Sequence, residues 1–171
     1  MVVNIIGKGS GWELAPSVGN EYDTWGITQL LLRRPVDLVI DMNVYDDMRW
    51  GLHEKKENDA VRKQCASDKI PYIGLKEYPL DEIVDKFETD YFGSTADYAI
   101  ALAIHKGYDE INLYGVNMFG GDEYAYQKPS VDFWCGYAKG KGIKLSVFGK
   151  LCNIMRTRNN IIYGYDTKQR I

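Results

Sequence analysis

Histidine is nearly missing from this chain, with only His53 and His105 in 171 residues. That scarcity excludes a histidine-built metal cluster and leaves little for any mechanism that needs an imidazole base. Cysteine is scarce as well. Cys65, Cys135 and Cys152 are widely spaced and odd in number, so neither a zinc pattern nor a disulfide framework follows. No histidine partner is placed beside them, so they read as buried fillers in a reducing compartment rather than as nucleophiles. No apolar run reaches the ~20 residues that span a membrane, and the start lacks a signal peptide's charged and long apolar segments. Positive charge is not in surplus either, since the formal net charge is −3. A protein built for the phosphate backbone of nucleic acid is therefore not expected. These absences together predict a cytoplasmic protein with no membrane or nucleic-acid partner, no metal and no cofactor.

What is present is an ordinary globular balance, 45% hydrophobic and 26% charged. A chain of this length makes one domain and buries about 70% of its unfolded surface without a staple. Its most informative stretch is GSTADYAIALAIHKGYDEINLYGVNM, residues 93–118. Ser94 is placed to cap a helix, and Asp97 three residues on completes a Ser-x-x-acid capping box. Ala99, Ile100, Ala103 and Ile104 form one apolar stripe. Lys106 then closes the last turn and Gly107 takes the left-handed position beyond it. The apolar run from Ile111 to Val116 is long enough for a strand and too short for a helix. A helix that opens on small hydroxyl residues and feeds such a strand is half of a βαβ unit, and its free N-terminal amides form an anion site.

The rest of the chain repeats the alternation. Strands are predicted at residues 2–6, 22–28, 36–41, 70–75 and 143–148, the fourth entered through Pro71 and so placed at an edge. Helical segments are predicted at 30–34, 54–67, 81–87 and 129–139, with Pro129 in the first turn of the last. Alternating strands and helices imply an α/β fold, a single three-layer Rossmann-like domain with a mainly parallel sheet. Residues 1–149 form that domain, and 150–171 form a basic, apolar C-terminal extension packing on it or on a partner subunit. A homo-oligomer, at least a dimer, is expected.

In such a fold the ligand sits where the strands end. That edge gathers Lys8, Gly9, Ser10, Gly11 and Trp12 after the first strand, then Thr28, Gln29 and Asn43. Ser94 and Thr95 open the helix there, and Asn117 follows the fifth strand. The glycines of residues 7–11 let amides approach a phosphate, and Lys8 adds charge. The spacing is neither a Walker A loop nor GxGxxG, and a plain tight turn remains the alternative. Ser94 and Thr95 have a purely structural reading as caps. Trp12, Trp25, Tyr124 and Tyr126 can stack on a base or ribose, or simply belong to the core. Asp122, Glu123 and Asp132 are the acids near the last loop that can act as a base. The expected partner is a nucleotide-type small molecule.

The GKGSG loop, the Gly26-Ile27-Thr28-Gln29 turn, Asn43 and YFGSTADYAIALAIHKGYDEINLYGVNM resemble the nucleotide-sugar-binding core of bacterial single-domain sialyltransferases. They also resemble Rossmann-type proteins of the motility-associated glycosylation group and small bacteriophage-encoded proteins that share this core. The resemblance implies binding roles for Gly9, Ser10, Asn43, Ser94 and Thr95, and places Asn117 where the sialyltransferases carry an acid. Their catalytic histidine has no counterpart here, because neither His53 nor His105 falls in the matching segment. Two functions follow as expectations. The first is a phage-type protein that captures a nucleotide or ADP-ribose-like molecule without turnover, for instance sequestering a host immune signal. The second is a nucleotide-sugar-dependent glycosyltransferase or hydrolase in which Glu123 or Tyr126 replaces the histidine. A scaffold that has lost its ligand is the third, blander reading.

Overall fold

The computed structural model describes residues 1–19, 21–45, 52–157 and 162. Six strands form one sheet: β1 (Val2–Ile6), β2 (Asp23–Ile27), β3 (Leu38–Ile40), β4 (Tyr72–Ile73), β5 (Glu110–Tyr114) and β6 (Lys144–Phe148). Four α-helices join them: α1 (Leu52–Asp68), α2 (Leu80–Phe87), α3 (Thr95–His105) and α4 (Asp122–Gly140). The strand order is β4-β3-β2-β1-β5-β6, and every neighbouring pair is parallel. The chain thus lays strands outward from β1 to β4, crosses back through α2 and α3, and continues on the other side of β1. The reversal of strand order falls between β1 and β5, the place where α/β sheets open a crevice for ligands.

The two faces of the sheet are covered unequally. Val3 and Ile5 of β1 point into the larger core with α2, α3 and α4, whose buried anchors include Ile83, Ile100, Leu102 and Trp134. Ile6 points the other way, into a smaller cluster with Leu30, Leu31, Val39, Val61 and Cys65. This side-to-side alternation along β1 follows from the period of two in a strand. α3 is buried along nearly its whole length and on every side, as a helix enclosed between sheet and neighbours must be. Its ends match the expectation closely. The Ser94–Asp97 capping box forms at the start. At the end Gly107 takes φ 79° while the amides of Gly107 and Tyr108 return to Ile104 and Ala103, a Schellman closure.

Several elements differ from the sequence expectation. β4 has two residues rather than six, because Pro71 supplies a carbonyl to Val39 but no donor, and the chain turns at residues 75–77. Its edge position is as expected. β3 starts at Leu38 because Asp37 is drawn off to cap β2, its carboxylate accepting the Thr24 amide at 2.8 Å. α4 begins at Asp122, not at Pro129, which lies inside the helix. Asp122 and Glu123 suit the positive end of the helix dipole, and the Ala125 carbonyl that Pro129 cannot serve lies on an exposed residue. Of the C-terminal extension, residues 150–157 pack on the domain, with Cys152 and Ile154 in the larger core. Most of the remainder lies outside the described residues.

Candidate functional site

At the carboxyl edge of the sheet, around the β1–β5 reversal, lies an open cleft of about 530 Å³. That is within the ~300–1,000 Å³ range of small-molecule sites. Its floor is the crossing of the loops after β1 and β5. The Gly7 amide donates to Tyr114 O and the Gly9 amide to Gly115 O, both at 2.8 Å. A side chain at Gly115 would meet Gly9 O at 2.6 Å and Gly7 O at 2.8 Å, and its φ is 59°. Only glycine fits there. The glycine loop is therefore first a close backbone crossing, with two of its amides already taken up by protein. What it turns to the cleft is Lys8, whose ammonium donates to Gln29 Oε1.

The loops after β2 and β3 make one wall. Thr28 stands at φ 54°, a left-handed conformation that costs a β-branched residue about 1–3 kcal/mol. Its Oγ1 is buried without a protein partner. Beside it a chain of side-chain hydrogen bonds runs inward from Lys8. Gln29 Nε2 donates to Tyr45 OH at 2.8 Å, and Tyr45 OH donates to Asp41 Oδ2 at 2.8 Å. Asn43 closes the group, its Nδ2 donating to Asp41 Oδ1 at 2.8 Å and its own amide to the same oxygen at 3.2 Å. Asp41 is 1% exposed. Burial pushes its carboxyl above the ordinary range, against the pull of Tyr45 and Asn43. Burial and the Asp41 charge push the Tyr45 phenol up in turn. A buried carboxylate joined to a phenol at a cleft is suited to holding or moving a proton.

The start of α3 forms the back wall. Ser94 is occupied as a cap, and Thr95 Oγ1 accepts the Met42 amide at 3.3 Å, tying α3 to the end of β3. Asp97, fully buried, accepts from the amides of Gly93 at 2.8 Å and Ser94 at 3.0 Å and from Ser130 Oγ at 2.6 Å. It fixes the first turn of α3 to α4, which supplies the opposite rim through Glu123, Tyr124 and Gln127. Asn117, after β5, donates from Nδ2 to Ser10 O at 3.0 Å, while its Oδ1 is buried without a partner. Lys8 is the cationic side chain of the cleft among the described residues, and Glu54 and Glu123 belong to the same lining.

Of the residues expected at the site, Lys8, Gly9, Thr28, Gln29, Asn43, Ser94, Thr95, Asn117 and Tyr124 line this one cleft. Ser10, Gly11, Trp12 and Tyr126 lie outside its lining. Ser10 offers only its carbonyl, to Asn117. Gly11 packs against Gly149 at the end of β6. Trp12 packs against the smaller core, and Tyr126 is 82% exposed. Asp41, Tyr45, Glu54 and Gln127 were not expected. The signal for Asp41 was available, since an acid directly ending an apolar strand stands at the ligand edge of a parallel sheet. His105 lies at the far end of α3 facing Glu82, and nothing of the His53 side chain is described. The three cysteines are free and buried, and burial raises each thiol, Cys135 to about 12. Among the described residues no group of three metal-ligating side chains occurs, and no helix is long and apolar enough to cross a membrane.

No family model matches the chain, and no curated protein matches it. Solved structures do. The chain is similar to thiamine pyrophosphokinase from Bacillus subtilis, with 14% identity, 88% of this chain and 61% of that one covered, and a TM-score of 0.52. It thus spans 61% of that protein's length. It is also similar to the sialyltransferase CstII from Campylobacter jejuni bound to the substrate analogue CMP-3FNeuAc. There the identity is 15%, the coverage 89% and 80%, and the TM-score 0.40. A complex of CST-II with a trisaccharide acceptor and CMP gives 16%, 90% and 82%, and 0.43. What the first of these likenesses shares with the chain is the fold. It is a Rossmann-like three-layer α/β domain.

Proposed function

We propose that the cleft binds a nucleotide by its phosphate, and that the protein acts on this ligand by hydrolysis or group transfer. The observation that carries the reading is the convergence, at the β1–β5 reversal, of Lys8, the first turn of α3 and the left-handed Thr28. Helix amides and an ammonium are what a phosphate needs, and a strained, unsatisfied residue beside them is typical of a functional wall. Lys8 passes from Gln29 to the phosphate when the ligand enters, which frees Gln29 to meet the base or ribose.

Turnover takes precedence over silent capture because of Asp41 and Tyr45. In this reading the oxygen of a water or acceptor hydroxyl bonds to the atom that carries the phosphate oxygen, the bond to that oxygen breaks, the phosphate leaves with the electron pair, and the attacking proton passes through Tyr45 to Asp41. Glu123, on the opposite rim and bonded to Gln127 at 2.7 Å, remains a second candidate base. Capture without turnover, including sequestration of a host signal by a phage protein, is the reading set against it. A homo-oligomer stays part of the proposal, and a monomeric mass in solution contradicts that part.

The test is mass spectrometry of small molecules released by denaturing the purified protein, followed by re-incubation of what appears with fresh protein. A nucleotide that is recovered and then cleaved or transferred supports the proposal. A nucleotide that stays intact for hours makes the protein a binder, and release of no nucleotide, with none bound on addition, overturns the reading.

A further inference from the structure

The two edges of the sheet are finished differently. β4, at one edge, has two residues. Pro71 before it has no amide to offer, and the Gly74 amide after it is taken by Glu77 Oε2 at 3.0 Å. Little is left there for a further strand to pair with. β6, at the other edge, runs for five residues with no proline, no glycine and an unbroken register against β5. The Lys144 amide donates inward, to Asp109 O at 2.9 Å. Backbone groups of successive residues point to opposite sides of a strand, so those of Leu145 and Val147 point outward. Among the described residues no strand pairs with them. Such an edge is a template for another chain.

The side chains choose the occupant. Leu145 and Val147 pack against the larger core, while Phe148 turns to the opposite face and stacks on Tyr114, with ring centroids 4.4 Å apart. Lys144 and Ser146 share that face by the period of two. Two copies of β6 laid antiparallel about a two-fold axis at Ser146 bring Leu145 of each to Val147 of the other. That register uses every outward N–H and C=O of the strand. It sets Lys144, the one charge of β6, against Phe148 of the second copy rather than against its like. The ammonium, held by Glu110 at 2.9 Å, then also meets an aromatic face. Ser146 meets Ser146 at the axis, where the two hydroxyls bond to one another. We propose that β6 is the interface between two copies of this chain, paired antiparallel at Ser146 so that one sheet runs on into the other. This rests on the homo-oligomer of the reading above and names its contact. No β6 residue lines the cleft, so each copy keeps its own site.

The test is sedimentation equilibrium of the intact chain beside Ser146→Cys, Lys144→Cys and Ser146→Lys. The wild-type chain should sediment as a dimer. Ser146→Cys should cross-link with oxidised glutathione, which takes up the two thiol hydrogens and leaves as two molecules of glutathione. Cross-strand Cβ atoms at such a position lie about 4.5 Å apart, within disulfide reach. Lys144→Cys, whose counterpart in the second copy stands beyond that reach, should not cross-link. The native cysteines are buried and do not compete. Ser146→Lys sets like charges at the axis and should weaken the dimer about fivefold or more, with the far-ultraviolet circular dichroism of the chain unchanged. A dimer in which Ser146→Cys stays unlinked, in which Lys144→Cys links as fast, or which Ser146→Lys leaves intact overturns the β6 contact and keeps the oligomer. A monomeric mass up to the highest soluble concentration overturns both, and leaves the edge to an extended peptide of another protein or of this chain.

Discussion

Among the described residues two carboxylates are buried, and their surroundings differ in kind. Asp97 is held by the amides of Gly93 and Ser94 and by Ser130, groups fixed by the course of the chain. Asp41 is held mostly by Tyr45 and Asn43, side chains that themselves line the cleft. Burial raises both carboxyls above the ordinary value of 3.8, and hydrogen bonds oppose the rise in each. A raised value therefore does not separate a structural acid from a chemical one. The partners do. Backbone donors are committed before any ligand arrives, whereas a ligand can draw side-chain donors away and change the charge of the acid they hold. Asp97 belongs to the scaffold, and Asp41 to the part of the site that responds.

This contrast is broken or sharpened by substitution. The largest effect is expected for Asp97→Ala, which takes the acceptor from the Gly93 and Ser94 amides at the start of α3, leaves Ser130 Oγ only Gln127 O, and opens a gap in a fully buried position. Urea unfolding should show a loss of about 3 kcal/mol or more, and a loss below about 1 kcal/mol would return Asp97 to the candidate chemical groups. Gly115→Ala should follow at about 2–3 kcal/mol, because a Cβ there meets backbone and the φ is positive. An unchanged urea midpoint would mean that the crossing of the two loops is not tight.

Asp41→Asn should behave in the opposite sense to Asp97→Ala. Its stability at pH 7 should change by about 1 kcal/mol or less, while turnover of a bound nucleotide should fall about 100-fold. The pH dependence fixes the sign. With a raised folded value, the native state holds more protons than the unfolded state from about pH 3.8 up to that value, so stability falls as pH rises through the window. Subtracting the Asp41→Asn curve from the wild-type curve should leave that downward slope, and a flat difference would place Asp41 outside the titrating groups. The smallest effect belongs to Tyr126→Ala, at the exposed face of α4. Stability should stay within about 0.5 kcal/mol and nucleotide affinity should not move. A clear loss of affinity would extend the site beyond the cleft.

Much of the fold was legible because its signals are local. The capping box at Ser94 and Asp97, the Gly107 stop and the alternation of strands with helices each depend on a few neighbouring residues. Errors arose where two local signals compete. Pro129 reads as a helix start, yet the favourable run of residues 122–128 extends the helix through it. The site was legible in outline, since the parallel order of strands delivers Lys8, Thr28, Asn43, Thr95 and Asn117 to one edge. The tyrosine and acid that join across that edge were not. Tyr45 is one of 13 tyrosines in a mixed loop, and only the folded geometry brings it onto Asp41. Gly7 and Gly9 read as a phosphate loop because close approach to a ligand and close approach to Gly115 ask for the same residue.

The most direct measurement is an amide NMR titration of the intact chain with CMP, UMP, AMP and GMP. The account predicts that at least one shifts the amides of Lys8, Thr28, Thr95, Ala96 and Asn117 together in a saturable manner, leaving β6 and the C-terminal half of α4 unmoved. Shifts gathered on β6 or the outer face of α4, or no saturable shift with any of the four, would contradict it.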